Sequence, residues 1–148
     1  MKTLSDYMSL ALDEAKNALI MDEVPVGAVV VKDDSIIAKV HNLTELNHDS
    51  ISHAEILAIR DAQNELGNSN LSGCTMFVTL EPCPMCAGAI LASRLDMVVF
   101  GAFDERLGSC FSRVDLLNGF YDTSIKCIGG IMEKECGQIL SDYFKTKR

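Results

Sequence analysis

Short β-branched runs alternate with amphipathic segments along most of this chain, and that alternation limits the folds open to it. Residues 26–31 and 36–40 flank the turn-rich stretch Lys32-Asp33-Asp34 and predict a β-hairpin. Three further strands are predicted at residues 75–80, 96–101 and 124–128. An opening hairpin followed by alternating strands and helices predicts an α/β fold. We expect a mixed, mostly parallel five-stranded sheet with helices on both faces.

Four segments show the three- and four-residue apolar spacing that is typical of helices. They are Leu4–Ile20, His53–Leu66 with Gly67 behind it, residues 83–94 with a proline near the start, and Ile131–Phe144. No linker, repeat or low-complexity segment interrupts the 148 residues. The sequence therefore predicts one domain that covers residues 1–148.

Composition and charge narrow the classes of protein to which the chain could belong. A hydrophobic content of 48% indicates a compact core rather than disorder. No apolar run approaches the ~18 residues that cross a bilayer, and the start of the chain lacks a signal-peptide core, so we expect a cytoplasmic protein without a membrane partner. The net charge of −8 disfavours a broad phosphate-binding surface, although positive charge collects at Lys145–Arg148.

The six cysteines raise the first question about function. With no secretion signal and irregular spacing, reduced thiols or metal ligands are favoured over disulfides. Cys83 and Cys86 form a Cys-x-x-Cys pair at a predicted helix start, which by itself fits a redox pair, half of a metal site or packing. The others read as packing residues, with Cys110 expected nearest the site: Cys74, Cys110, Cys127 and Cys136.

A histidine upstream extends the cysteine pair into a recognisable pattern. His53 and Glu55 form His-x-Glu at the second predicted helix start, and Pro-Cys-x-x-Cys follows at the third. This order is the signature of zinc deaminases that act on nucleobases. Two thiolates and one imidazole would leave a fourth zinc position open for water, as in catalytic sites, and zinc lowers the pKa of that water toward neutrality. Glu55 is then predicted to be the proton shuttle.

Each of these residues also has a simpler interpretation. Ser52 and Glu55 have the spacing of a capping box, in which Glu55 would only satisfy N–H groups at a helix start. His53 alone could be a core or helix-start residue. The complete pattern at two helix starts favours a catalytic zinc site made by His53, Cys83 and Cys86.

Several longer stretches of this sequence resemble the bacterial tRNA adenosine deaminases, within the zinc deaminases related to cytidine deaminase. The similar stretches are EVPVGAVVV (23–31), Asn42, SHAEILAIR (52–60), TLEPCPMCAGAI (79–90), SRLDMVVFGAFDERLG (93–108) and the final LSDYFK. The resemblance implies a three-layer αβα fold, a homodimer, one zinc ion per subunit, and conversion of the wobble adenosine of tRNA to inosine.

The same resemblance implies residues that bind substrate. Asn42 would hydrogen-bond the nucleoside, and the segment Pro25, Val26 and Gly27 would line the base pocket together with Ala54 and Asp104. Phe144 and the basic tail would contact the anticodon stem-loop. The sequence departs from the family at Asp49–Ser52, where Asp-Pro-Thr-Ala is expected, and at Ser109–Arg113, where small residues are expected.

Two other functions are compatible with parts of this sequence. The acidic charge and the altered segments fit a zinc deaminase of a free nucleobase or nucleoside, of guanine, cytosine or adenine type, because a small substrate needs no phosphate clamp. A noncatalytic binding module is disfavoured, since a purely structural zinc has no use for Glu55.

Overall fold

The computed structural model describes residues 2–118 and 125–147. Ser124, predicted to begin the last strand, and Arg148 of the basic tail lie outside these residues. The elements are α1 (Leu4–Ile20), β1 (Gly27–Lys32), β2 (Ser35–His41), α2 (Ala54–Leu66), β3 (Cys74–Leu80), α3 (Pro84–Ser93), β4 (Met97–Ala102), β5 (Lys126–Ile128) and α4 (Glu133–Thr146). Helical and strand periodicity therefore predicted the described elements to within two residues at their ends.

The five strands form one mixed sheet in the order β2-β1-β3-β4-β5. β1 is antiparallel to both β2 and β3, whereas β3, β4 and β5 are mutually parallel. The prediction of a mixed five-stranded sheet is confirmed: four of the five strands run in the same direction, while β1 opposes its two neighbours, so half of the strand pairs are antiparallel. β2 and β3 do run in the same direction, as an intervening helix requires, but β1 lies between them and opposes both.

The β1–β2 hairpin closes through two aspartates with left-handed backbone angles. Asp33 and Asp34 have φ values of 50° and 62°, the conformation of the tight turns that suit the twist of paired strands. Tyr7 of α1 donates a hydrogen bond from its hydroxyl to Asp34 Oδ1 at 3.0 Å. The first helix is thereby tied to the hairpin end.

Helices cover both faces of the sheet, which confirms the three-layer arrangement. α1 and α4 pack on one face, where Val29 and Val31 of β1 meet Met8. α2 and α3 pack on the other face, where Ala28 and Val30 contact the apolar side of α2. β1 is buried on both sides, in agreement with its continuous apolar sequence. Within 2–118 and 125–147, none of the helices is long and apolar enough to span a membrane.

A close approach fixes α1 against the sheet, and strand register sets where the segments after β3 and β4 begin. A Cβ atom at Gly27 would lie 2.0 Å from the carbonyl oxygen of Ala11, so β1 and α1 meet backbone to backbone there. On the parallel side of the sheet, Leu80 at the end of β3 pairs with Ala102 at the end of β4. The segments that follow these two strands therefore leave the sheet from the same edge.

Candidate active site

The starts of α2 and α3 bring the predicted metal ligands and Glu55 to this edge of the sheet. His53 is the residue immediately before α2, and its backbone is extended. Cys83 occupies the same position before α3, and Pro84 supplies the fixed backbone angle that favours a first helical residue. Because both helices lie on one face of the sheet, their first turns meet.

His53, Cys83 and Cys86 form a compact group of potential metal ligands. The Nδ1 atom of His53 lies 3.7 Å from the sulfur of Cys83 and 3.6 Å from the sulfur of Cys86. One ligand atom from each residue lies within 4.8 Å of the other two. A tetrahedral zinc ion with ligand bonds of about 2.0–2.3 Å fits between three atoms so spaced. Donor type and separation thus suit a single metal ion.

The thiols of Cys83 and Cys86 have pKa values shifted in opposite directions. A hydrogen bond from the Cys86 thiol lowers the pKa of Cys83 to about 4, and the hydrogen bond with His53 acts in the same direction. Donating that bond raises the pKa of Cys86, as does its burial. The group therefore carries a thiolate at neutral pH, and a cation that binds there displaces the remaining thiol proton.

Glu55 lies in the first turn of α2 and is only 4% exposed. Burial raises its pKa to about 7, and the negative charge of Cys83 adds to the effect. The capping interpretation is not supported, because Ser52 donates its hydroxyl hydrogen bond to Asp49 Oδ2 at 2.9 Å and the start of α2 has no side-chain cap. A buried carboxyl that titrates near neutrality suits proton transfer.

A cavity of about 190 Å³ opens onto these residues. The predicted substrate residues Val26, Asn42, Ala54 and Asp104 all line it, and so do His53, Glu55 and Cys83. The amide nitrogen of Asn42 donates to Glu23 Oε1 at 3.4 Å and to Thr44 Oγ1 at 3.3 Å, which fixes the side chain. The structure thus gathers most of the predicted substrate residues around one small pocket.

Three predicted substrate residues lie elsewhere. Pro25 and Gly27 do not line this cavity, because successive residues of extended backbone point to opposite sides and a Gly27 side chain would point into α1. Of that segment only Val26 reaches the pocket. Phe144 of α4 is 48% exposed and lines a neighbouring groove instead.

That groove has a volume of about 920 Å³ and runs between α4 and the segment that follows β4. It shares four lining residues with the small cavity: Val24, Leu80, Asp104 and Leu107. Arg106 and Lys147 contribute positive charge to it, while Phe103 and Phe144 contribute aromatic surface. The pocket therefore continues into a larger open surface of mixed charge.

Two buried glutamates, one lining the cavity and one bound to the Asn42 amide, were not among the predicted site residues. Glu23 is fully buried and Glu81 is 2% exposed. Burial raises the pKa of Glu81, but hydrogen bonds from Ser112 and from backbone N–H groups outweigh burial and hold it below the usual value. The sequence did contain an indication of both residues: each is an acidic residue next to a mainly apolar stretch, Glu23 before β1 in EVPVGAV and Glu81 after β3 in TLEPC.

The predicted packing cysteines are all free thiols. Cys74, Cys110 and Cys136 are buried, and Cys127 is partly buried. Cys110 contacts a residue that lines the cavity, because its backbone N–H donates to Glu81 Oε2 at 3.2 Å.

The fold is a three-layer αβα sandwich, and a histidine, a glutamate and two cysteines lie at the starts of two of its helices. This combination of fold and residues defines a deaminase. The chain belongs to the MafB19-like deaminase family, which it matches over residues 3–148.

Comparison with individual proteins places the chain more narrowly, among relatives of bacterial tRNA-specific adenosine deaminases. It is 47% identical over 143 residues to the tRNA-specific adenosine deaminase of Bacillus subtilis (strain 168), covering 96% of this chain and 89% of the relative. A solved structure from a study of A-to-I editing by tRNA:A34 deaminases superposes with a TM-score of 0.87 at 41% identity, covering 90% and 98% of the two chains. A guanine deaminase of Bacillus subtilis matches at 36% identity and a TM-score of 0.66, over 70% and 66% of the chains.

Proposed function

We propose that this protein is a zinc-dependent hydrolase that converts the wobble adenosine of tRNA to inosine, with residues 1–148 as its single catalytic domain. The observation that carries the proposal is the group His53, Cys83 and Cys86 beside buried Glu55 in a cavity of about 190 Å³. A pocket of that size suits one base removed from its stack, as deaminases of nucleic acids require. The reaction consumes water and releases ammonia.

One zinc ion per subunit would be held by His53, Cys83 and Cys86. Two sulfurs and an imidazole favour zinc over the harder cations, which prefer oxygen ligands. When bound, zinc supplies a Lewis acid that activates a water molecule near neutral pH.

Glu55 would carry the protons of the reaction. Its buried carboxylate would take a proton from the attacking water and deliver it to a ring nitrogen of adenine. It would then take the hydroxyl proton of the resulting tetrahedral adduct and give it to the amino group, which leaves as ammonia while the carbonyl forms. A carboxyl whose pKa lies near 7 can accept and return a proton at cytosolic pH with little cost in either direction.

Asn42, Val26, Ala54 and Asp104 would bind the target nucleoside in the pocket. Asn42 is suited to hydrogen-bond a sugar or base because its side chain is buried and its amide is already oriented by Glu23 and Thr44. Val26 and Ala54 offer apolar surface to the faces of the base. These contacts would exclude bulk water from the reacting carbon.

The anticodon stem-loop would lie along the groove beside the pocket. Phe144 and Phe103 can stack on unpaired bases, and Arg106 and Lys147 can contact phosphates. The groove's acidic residues limit this attraction, so binding would depend on the loop's shape as much as on its charge. The identity to the Bacillus subtilis tRNA-specific enzyme supports this substrate.

A deaminase of a free base is the second candidate. The specific observation in its favour is the match to a Bacillus subtilis guanine deaminase at 36% identity. The net charge of −8 is also compatible with a small neutral substrate.

We also propose a homodimer. Apolar side chains near the two helix starts are exposed in the single chain, namely Leu46 at 58%, Ile51 at 47% and Met85 at 37%. A partner subunit could cover them, since exposed apolar patches commonly mark interaction surfaces. Sedimentation velocity across a range of protein concentrations tests this.

The substrate is tested by mass spectrometry. Zinc-loaded protein is incubated with an anticodon stem-loop that carries a wobble adenosine, and with free adenine, guanine, cytosine and their nucleosides in parallel. We expect inosine in the stem-loop; ammonia from a free base alone would establish the second candidate. Glu55→Ala should retain zinc and fold but lose turnover by about 10²–10⁴-fold, and normal turnover in that variant would refute the proposed role of Glu55.

A further inference from the structure

Two buried carboxylates each bind the backbone of a loop that lines the pocket. Glu23 accepts hydrogen bonds from the N–H groups of Glu45 and Leu46 at 3.0 and 2.7 Å. It also accepts the bond from the Asn42 amide. Its loop contributes Asn42 and Thr44 to the cavity.

Glu81 holds a second loop with more contacts. Its Oε1 atom accepts the N–H of Asp104 at 3.0 Å. Its Oε2 atom accepts three N–H groups, from Cys110, Phe111 and Ser112, at 3.2, 2.8 and 2.9 Å. The Ser112 hydroxyl also donates to this carboxylate. A buried charge is tolerated because every contact is a donor that a carboxylate can accept.

Gly108 provides independent evidence that the loop is built around this carboxylate. A Cβ atom at Gly108 would lie 2.4 Å from both the carboxyl carbon and Oε1 of Glu81, and 2.4 Å from the carbonyl oxygen of Asp104. Only glycine fits at such distances. The loop therefore closes over Glu81 by backbone contact, and not only through hydrogen bonds.

The same glutamate joins the loop to the segment that carries a potential metal ligand. Glu81 follows the end of β3 and stands two residues before Cys83. The carbonyl of the intervening Pro82 accepts the N–H of Ser109 at 2.9 Å. The same loop contributes Asp104 and Leu107 to the lining of both the cavity and the groove. One short segment thus positions both a ligand and part of the pocket wall.

We propose that Glu81 is a positioning residue that holds the segment 104–112 as the wall between the cavity and the groove, and thereby sets the affinity for substrate. The kinetic part of this inference rests on the proposed deaminase function. A glutamine at position 81 would retain one acceptor oxygen but turn an amide N–H₂ toward backbone donors. The segment would then separate from the carboxyl end of β3 without removal of any potential zinc ligand.

Hydrogen exchange tests the positioning step without any substrate. In Glu81→Gln, amides of residues 108–112 should exchange at least about tenfold faster than in the unaltered protein, because a hydrogen bond to a charged acceptor is lost. Glu23→Gln is the matched control, as it removes the same charge from the other loop. It should accelerate exchange at residues 45 and 46 only. Unchanged exchange at 108–112 in Glu81→Gln would overturn the proposal.

Kinetics test the consequence for substrate. On the substrate that the unaltered protein converts, Glu81→Gln should raise KM about tenfold, with kcat within about threefold and zinc content unchanged. Glu81→Asp should recover part of the lost affinity, because it restores the charged acceptor. A fall in kcat at constant KM, or a loss of zinc in proportion to activity, would show that Glu81 supports the metal group instead.

Gly108→Ala tests the contact between Gly108 and Glu81 by changing the loop residue and leaving the glutamate intact. It should likewise raise KM and accelerate exchange, and combining it with Glu81→Gln should give less than the sum of the two effects, because both changes disturb the contact between Gly108 and Glu81. Additive effects would contradict the proposal. If Glu81→Gln does not fold, Ser112→Ala still decides the question, because it removes one donor to the Glu81 carboxylate without adding any atom: faster exchange at residues 110–112 supports the proposal, and unchanged exchange overturns it. Failure of the unaltered protein to form inosine would refute the tRNA substrate alone, since the exchange comparison is independent of turnover.

Discussion

The Nδ1 atom of His53 lies 3.6 Å from the sulfur of Cys86, although 33 positions separate the two residues in the chain. Each belongs to the start of a different helix, and the two helices share one face of the sheet. The packing of α2 and α3 therefore brings these two potential ligand atoms together.

Removing one sulfur from this group should reduce metal binding sharply. We expect Cys86→Ser to bind zinc at least about tenfold more weakly, because a hydroxyl replaces a thiolate at a site with three protein ligands. Elemental analysis after dialysis against a weak chelator measures the occupancy. Cys136→Ser is the control, since Cys136 is buried in the α1/α4 layer. Full zinc content in Cys86→Ser would instead favour a packing or redox role for the pair.

The buried carboxyl of Glu55 should make the zinc-free protein less stable as pH rises. Its pKa is about 7 in the folded chain against an ordinary value of 4.5, so between these values the folded state binds more protons than the unfolded state. The contribution of Glu55 to the free energy of unfolding therefore decreases as pH rises from about 4.5 to 7, by about 3 kcal/mol in total.

Denaturant unfolding of chelated protein at pH 5 and pH 7.5 measures this effect. Glu55→Gln has no titrating carboxyl and should gain stability relative to the unaltered protein at the higher pH. The comparison reports on Glu55 together with its interaction with Cys83, whose negative charge contributes to the raised pKa of Glu55. A constant difference between the two proteins across this range would contradict the burial argument.

Glycine is required at one sheet position and dispensable at one helix position. Gly27→Ala would place a methyl group 2.0 Å from the Ala11 carbonyl oxygen, so we expect a loss of about 3 kcal/mol or more in the free energy of unfolding. Gly88 lies within α3 and a Cβ there would meet no atom within 4 Å, so Gly88→Ala should gain about 0.5–1 kcal/mol. Thermal unfolding of the two variants should shift in opposite directions.

Positive charge at the end of α4 should contribute to RNA binding. Lys147 lines the groove and forms an exposed ion pair with Asp22 at 2.7 Å. Lys147→Ala should weaken binding of the stem-loop and reduce the slope of log affinity against log salt by about one. Fluorescence anisotropy at several salt concentrations measures it. Lys39→Ala, at an exposed position of β2, is the control, and equal effects of both variants would indicate only a general effect of charge.

The sequence predicted the elements, and the grouping of His53, Cys83 and Cys86 at two helix starts, for a common physical reason. Helical and strand periodicity is local, and His53, Glu55, Cys83 and Cys86 form a pattern in which each type of residue has a chemical purpose. The pairing of β1 between β2 and β3 could not be predicted in the same way, because strand neighbours depend on contacts between distant segments.

The residues around the pocket were harder to predict. Val26 lines the cavity but its neighbours Pro25 and Gly27 do not, since the direction of a side chain in extended backbone changes at every residue. The roles of Glu23 and Glu81 depend on which loop N–H groups need an acceptor, and that is known only when the loops are seen in place. Sequence motifs marked these positions without indicating their contacts.

Leu80 and Ala102 are paired at the ends of β3 and β4, so the segment that leads to Cys83 and the segment that forms the pocket wall begin side by side but are separate in the chain. Sequence changes in one segment need not alter the other. Residues after β3 lead to Cys83, whereas residues after β4 form the wall toward the groove, and both begin at the same edge of the sheet. Insertions, deletions or replacements after Ala102 can thus reshape what enters the pocket while the helix that carries Cys86 keeps its place. One framework of potential metal ligands is thus compatible with more than one wall around the pocket.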